Sequence, residues 1–160
     1  RSHGQIPKYI ESIKVINLIM SNPSFKSITL QRTPCFGYCP VFSLVIFSDG
    51  SVLFDGEHFV EKKGKHYWTI GEDAISALNE AIRKHGYFTM IEKAEAKEMT
   101  CMPTCVSSIL MEDGTFREIN HDFGCNKFPK KLDAFENKIE KIVGANKYIG
   151  KAQFPEELSE

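Results

Sequence analysis

The sequence predicts an α+β fold with a mainly antiparallel sheet, built from two β-hairpins plus extra strands, and with two or three helices packed on one face. Two observations support this prediction. An Asp-Gly pair separates two apolar runs at Asp49-Gly50 and again at Asp113-Gly114, which is a strong short-range hairpin signal. Three other stretches repeat apolar residues with the period of a helix.

The first half of the chain predicts one helix and four strands. Residues 6–20 have helical spacing, and residues 28–32 alternate as a strand does. The first hairpin joins residues 41–47 to residues 52–59, and a further short strand is expected at residues 66–70. These elements begin the predicted order α-β-β-β-β-α-β-β-α.

The second half predicts a helix, a hairpin and a last helix. Thr69 and Glu72 fit a capping box at the start of the first of these helices, and Gly86 predicts its end. Residues 104–111 and 115–120 form the second hairpin, and a proline predicts the first turn of the last helix. That proline is Pro129, and the apolar stripes of the two helices are Ile75, Leu78 and Ile82, then Leu132, Phe135, Ile139 and Ile142.

The length of 160 residues is that of one domain, which we place at residues 5–150. Residues 1–4 read as the remainder of a cleaved expression tag, and residues 151–160 as a loose C-terminal tail. No apolar run approaches the ~18 residues of a membrane span.

The charge balance argues against nucleic acid as a partner. Twenty basic residues face twenty-one acidic ones, for a net charge of -1, whereas a nucleic-acid binder usually carries a basic face. Phosphate-binding loops and the common hydrolase motifs are also absent from the sequence. We therefore expect a non-enzymatic binding or accessory module whose partner, not identified by the sequence, is a protein.

The five cysteines are the remaining candidates for a functional or stabilising site. Four of them form two Cys-x-x-x-Cys pairs, Cys35 with Cys39 and Cys101 with Cys105, and the fifth is Cys125. Each pair directly precedes a hairpin, so we expect the two pairs to meet at one edge of the sheet. Three interpretations of the cysteines remain open, alongside the plain one in which they only pack as small apolar residues.

The first interpretation is a zinc site, because four thiolates can hold zinc tetrahedrally. His121 and Cys125, four residues apart, are substitute ligands. Zinc is the one cofactor that the sequence leaves open. This alternative makes the domain a zinc-stabilised interaction module.

The second interpretation is a disulfide. A local Cys35–Cys39 bridge closes about five residues and contributes about 2 kcal/mol, whereas a long-range Cys35–Cys101 bridge contributes about 4 kcal/mol. Either bridge would belong to an oxidising compartment.

The third interpretation is a thiol-based redox protein or a cysteine-dependent enzyme that uses the Cys35/Cys39 loop. Such chemistry needs a thiolate with a lowered pKa, and Arg32 is the nearest cation in sequence. The loop leads into a strand instead of a helix N-terminus, which weakens this interpretation. In every interpretation we expect the loop of residues 34–40 to be ordered, with Phe36 and Tyr38 covering apolar surface.

The run from Ile28 to Phe42 contains the pattern Arg-x-x-Cys-Phe-Gly-x-Cys-Pro and resembles the opening of a bacterial family, domain of unknown function 6438. The resemblance extends over roughly residues 28–150. It implies a small α+β domain of bacterial origin, found on some envelope proteins, with no activity to transfer. It favours a location in the cell envelope or periplasm. Cys35 and Cys39 match the family motif, whereas the second pair departs from it.

Overall fold

The computed structural model describes residues 23–35, 37–93, 104–122 and 128–151. It has an α+β architecture, as predicted. Within these ranges the elements are β1 (Phe25–Arg32), β2 (Val41–Phe47), β3 (Ser51–His58), β4 (Gly64–Thr69), α1 (Glu72–His85), β5 (Thr104–Met111), β6 (Phe116–Asp122), α2 (Lys131–Val143) and α3 (Asn146–Ile149).

The strands form one sheet in the order β4-β3-β2-β1-β5-β6, and every neighbouring pair is antiparallel. The hairpins β2–β3 and β5–β6 confirm the two predicted hairpins. Strand β1 lies between them and pairs with both β2 and β5, so it joins the two halves of the sheet. It also begins earlier than the predicted residue 28, at Phe25, with an irregular register between Phe25 and Ser27.

The two Asp-Gly turns are built alike. Each aspartate accepts a hydrogen bond from the backbone N–H two residues ahead, at 2.8 Å for Asp49 and 2.9 Å for Asp113. These bonds favour the charged carboxylate and lower the pKa of both aspartates. Gly50 and Gly114 have φ of 94° and 92°, a conformation in which a Cβ is strained.

Helices α1 and α2 pack on one face of the sheet, as the fold prediction requires. Alternate strand residues point into this layer, and the other residues of each strand face the opposite side. The largest fully buried side chains are Tyr87, Phe25, Phe42, Phe54, Phe135, Ile28, Leu30, Leu44, Ile46, Leu78, Ile109 and Ile119.

The start of α1 differs from the prediction, and its end agrees with it. The capping-box prediction is wrong because Thr69 is the last residue of β4, where it pairs with Ser51. The N-cap is Gly71, which has no side-chain cap. At the other end Gly86 adopts the left-handed conformation, φ 63°, and stops the helix as expected.

The start of α2 also needs a correction. The helix begins at Lys131 with Lys130 as its N-cap, so Pro129 precedes the helix instead of occupying its first turn. The carbonyl of Pro129 still accepts a bond from the N–H of Leu132, at 3.0 Å. Of the predicted stripe, Leu132, Phe135 and Ile139 are buried, whereas Ile142 is half-buried.

Short helix α3 packs against edge strand β4. The rings of Trp68 and Tyr148 stack with centroids 4.3 Å apart, and Trp68 Nε1 donates to the carbonyl of Val143 at 2.8 Å. These contacts hold the chain after α2 at the β4 edge of the sheet, which is the edge opposite β6.

Three predictions fall on other parts of the chain. The tag remnant at residues 1–4, the helix at residues 6–20 and the tail beyond Lys151 lie outside the described residues. Within the described ranges, no helix has both the length and the apolar character that crossing a membrane requires.

Candidate functional site

The candidate site residues of the described chain lie at one end of the sheet, where β1 and β6 end and β5 begins. Arg32 is the last residue of β1, and its register partner on β5 is Cys105. Just beyond them, the N–H of Thr33 donates to the carbonyl of Thr104 at 2.9 Å, and the N–H of Thr104 donates to Thr33 Oγ1 at 3.0 Å. These bonds hold the start of the loop after β1 against the first residue of β5.

The loop at residues 34–40 is closed by a disulfide between Cys35 and Cys39, with an S–S distance of 2.00 Å. The N–H of Gly37, which is exposed, donates to Cys35 Sγ at 3.3 Å. Of the two disulfides weighed from the sequence, the structure has the local one. Sulfurs bonded to each other provide no thiolate, so in this state Cys35 and Cys39 bind no metal. Phe36 lies outside the described residues.

An aromatic contact ties this loop to the end of β3. The half-buried ring of Tyr38 meets the ring of Phe59 edge-on, with centroids 5.2 Å apart. Phe59 has a φ of 55°, the one positive value among the described non-glycine residues. A bulky residue in this conformation is strained, so the surrounding contacts must hold it there.

The second cysteine pair is only partly described. Cys105 is a free, buried thiol, and burial together with the charge of Glu136 raises its pKa. Cys101 and Cys125 lie outside the described residues. Because Arg32 pairs with Cys105 across the sheet, Cys105 lies at the same end of the sheet as the start of the Cys35–Cys39 loop.

A row of three polar residues crosses the core face at this end. Arg32 on β1 is opposite Cys105 on β5, which is opposite His121 on β6. Helix α2 covers the row with the acidic side chains of Asp133, Glu136 and Glu140. Their spacing of three and four residues puts the acids on one helical face. We call these six residues the polar row.

Arg32 and Glu140 form one half of the polar row. Arg32 Nε donates to Glu140 Oε2 at 2.7 Å, and its Nη2 donates to Glu140 Oε1 at 3.0 Å. The two side chains are 15% and 8% exposed. Burial would lower the pKa of Arg32, but the hydrogen bond and charge of Glu140 outweigh it and raise the pKa. Arg32 is therefore held by a carboxylate and also donates to Asn137 at 3.2 Å.

His121 forms the other half of the polar row with two carboxylates. Its Nδ1 lies 2.9 Å from Glu136 Oε1, and its Nε2 lies 3.5 Å from Asp133 Oδ1. Burial disfavours the charged imidazole, but the hydrogen bond and charge of Glu136 and the charge of Asp133 outweigh it, so the pKa of His121 is raised. Across the sheet–helix interface, the two basic residues of the row thus meet three acidic ones.

Comparison with known families gives a match to the family described as domain of unknown function (DUF6438), over residues 26–143. The chain belongs to this family. The match includes both hairpins and the whole of α1 and α2. Comparisons with curated proteins and with solved structures found no match. The resemblance drawn from the Arg32–Pro40 motif is thereby confirmed, although the family description assigns no activity.

In this member of the family, the sequence identified the strand side of the polar row and missed its helix side. Arg32, Cys105 and His121 were all site candidates, but Asp133, Glu136 and Glu140 were not. One sequence signal was available. The three acids repeat at the spacing of the apolar stripe Leu132, Phe135 and Ile139, shifted by one position. An acidic stripe beside an apolar one is more often a solvated helix face, so it carried little weight.

The state of the described cysteines can be checked by alkylation. We expect the peptide with Cys35 and Cys39 to remain unmodified in denaturant until reductant is added. The peptide with Cys105 should be modified on denaturation alone, since burial protects its thiol in the folded protein.

Removing the bridge in Cys35→Ser/Cys39→Ser should lower the free energy of unfolding by about 2 kcal/mol. Alkylation of Cys35 or Cys39 without reductant, or an unchanged urea midpoint for the double variant, would contradict a structural bridge.

Proposed function

We propose that this domain is a non-enzymatic binding module of the bacterial cell envelope, and that its disulfide-closed loop at residues 34–40 contacts a partner protein. The observation that carries the proposal is the Cys35–Cys39 disulfide, which constrains a loop with exposed residues at one end of the sheet. Disulfides persist in oxidising compartments and are rare in the cytosol. A bridge in a loop therefore supports a location outside the cytosol.

The bridge also favours binding. A loop that is fixed before it meets a partner loses less conformational entropy on association, which strengthens binding. The Thr33–Thr104 bonds and the Tyr38–Phe59 contact restrain the loop further, at its start and at its tip. Aromatic residues such as Tyr38 are enriched in protein interfaces. The composition of the loop thus fits protein recognition.

The thiols support binding more than catalysis. Cys35 and Cys39 are bonded to each other, and Cys105 is buried with a raised pKa. A nucleophilic cysteine needs a lowered pKa and access to substrate. None of these three residues combines the two in this state. We therefore favour a binding module over a redox protein that works through the Cys35/Cys39 loop.

The test is site-specific photo-cross-linking in cells that express the native chain. A photoreactive amino acid replaces Gly37, where an added Cβ would lie 3.9 Å from Cys35 Sγ and within 4 Å of no other atom of the described residues. The control position is Tyr67, which is 70% exposed on β4. We expect a discrete protein adduct from position 37 and not from position 67. Adduct yield should fall about tenfold or more in Cys35→Ser/Cys39→Ser, the factor that a loss of ~1.4 kcal/mol in binding gives.

Two results would reject the proposal. Equal adducts from both positions would show random proximity, and an adduct that survives loss of the disulfide would show that the closed loop is not what the partner recognises. Cell fractionation in the same experiment reports where the adduct forms. Recovery from the cytosol alone would reject the envelope assignment.

A further inference from the structure

In the His121 half of the polar row, two carboxylates lie beside one imidazole. Not every carboxylate oxygen there has a hydrogen-bond partner among the described residues. Glu136 is fully buried and His121 is 4% exposed. Two carboxylate oxygens, Asp133 Oδ1 and Glu136 Oε2, are buried without a hydrogen-bond partner among the described residues. The thiol of Cys105 is the neighbouring weak donor, and burial, followed by the charge of Glu136 and a side-chain contact with Glu136, raises its pKa. Buried carboxylate oxygens normally have hydrogen-bond partners, because a buried oxygen without one loses its bonds to water and gains nothing in return.

The same three side chains have the arrangement of a metal centre. One ligand atom each from His121, Asp133 and Glu136 can be chosen so that all lie within 4.8 Å of one another. Ligands at about 2.1 Å from a tetrahedral ion are about 3.4 Å apart. The set would therefore have to close by up to about 1.4 Å around an ion, which side-chain rotation can supply. We propose that His121, Asp133 and Glu136 bind a divalent transition-metal ion of the zinc class.

The charges of the polar row fit a doubly charged ion. Arg32 and Glu140 neutralise each other in their two-bond pair, which leaves Asp133 and Glu136 facing His121. With a neutral imidazole, this half of the row carries two negative charges, and an ion of charge two balances them. Coordination to the ion would also give a partner to each carboxylate oxygen that lacks a hydrogen bond among the described residues.

The ligand set points to a particular class of ion. An imidazole nitrogen suits zinc and its neighbours, whereas magnesium and calcium prefer oxygen ligands throughout. Three protein ligands leave a fourth position for water, as in open zinc sites. Asp133 provides the route from solvent, because its side chain is 41% exposed whereas that of Glu136 is buried. This site differs from the four-cysteine zinc site considered from the sequence, since none of its ligands is a cysteine.

The test is calorimetric titration of zinc into chelator-treated protein, with magnesium as the comparison ion. We expect one zinc ion per chain and no magnesium binding at the same concentration. Asp133→Asn and Glu136→Gln should each weaken zinc binding at least tenfold. Glu118→Gln is the matched control, because Glu118 is an exposed carboxylate on the opposite face of β6. Its zinc affinity should stay within twofold of the parent.

Cobalt substitution identifies the ligands. We expect the visible absorption of four-coordinate cobalt without the near-ultraviolet sulfur-to-cobalt band that thiolate ligation by Cys105 would add. That sulfur band would overturn the proposal, as would an affinity that Asp133→Asn leaves within tenfold of the parent. Circular dichroism checks the fold of each variant. If Glu136→Gln does not fold, Asp133→Asn decides alone, since its position is partly exposed.

Discussion

Replacing Arg32 with methionine is expected to lower the free energy of unfolding by about 3–5 kcal/mol, the usual cost of removing one partner from a buried ion pair. Methionine retains most of the apolar stem, so the loss is chiefly that of charge. Glu140 would remain buried beside Glu136, with no guanidinium to bond either of its oxygens. The measurement is equilibrium urea denaturation followed by circular dichroism.

The control is Arg83→Met, since Arg83 also meets a carboxylate at 2.7 Å, that of Glu80. These side chains are 42% and 65% exposed, and exposed pairs contribute about 0–1 kcal/mol. The double variant Arg32→Met/Glu140→Met should recover most of the stability lost in Arg32→Met, because it removes the unpaired charge as well. If Arg32→Met and Arg83→Met cost the same, the Arg32–Glu140 pair is not a buried pair.

The second large effect is expected at Gly50. Its φ is 94°, and a Cβ added there would lie 2.5 Å from the carbonyl oxygen of Ile70, which is backbone and cannot rotate away. Gly50→Ala should therefore cost about 1–2 kcal/mol for the backbone conformation and about 1–3 kcal/mol for the overlap. The strain would also disturb the 2.8 Å bond from the N–H of Ile70 to the carbonyl of Gly50.

Gly114 is the matched control for this prediction. It occupies the same place in the second Asp-Gly turn with φ of 92°, but an added Cβ meets no atom of the described residues within 4 Å. Gly114→Ala should therefore cost only the backbone share, about 1–2 kcal/mol. The comparison of the two urea midpoints isolates the contact with Ile70. Equal losses would mean that the Ile70 carbonyl does not approach Gly50 this closely in solution.

The local elements of this fold were predictable because their causes lie within a few residues. Asp49-Gly50 and Asp113-Gly114 specify turns through their own backbone preferences, and Gly86 ends α1 for the same reason. The failed capping box shows the limit. Thr69 has the right neighbour at Glu72, but pairing with Ser51 draws it into β4. A distant strand decided its conformation against the local signal.

The candidate site, like the fold, was predictable only where local sequence signals marked its residues. The family motif marked Arg32, Cys35 and Cys39, and the chemistry of the side chains marked Cys105 and His121 as candidates. Which cysteine pairs with which was left open by the sequence. The structure joins Cys35 to Cys39, and it buries Cys105 between Arg32 and His121 in the register of the sheet.

By itself, the sequence determined the fold class, the two hairpins, the apolar stripes of both long helices and the family. The tertiary structure alone decided the strand order, with β1 between the hairpins, and the partners of the polar row. Asp133, Glu136 and Glu140 face Arg32 and His121 only because α2 packs its acidic stripe over the ends of β1, β5 and β6. The helical period in the sequence shows which residues share a face of the helix. Which strands that face contacts depends on the packing of every buried side chain at once, so only the tertiary structure decides it.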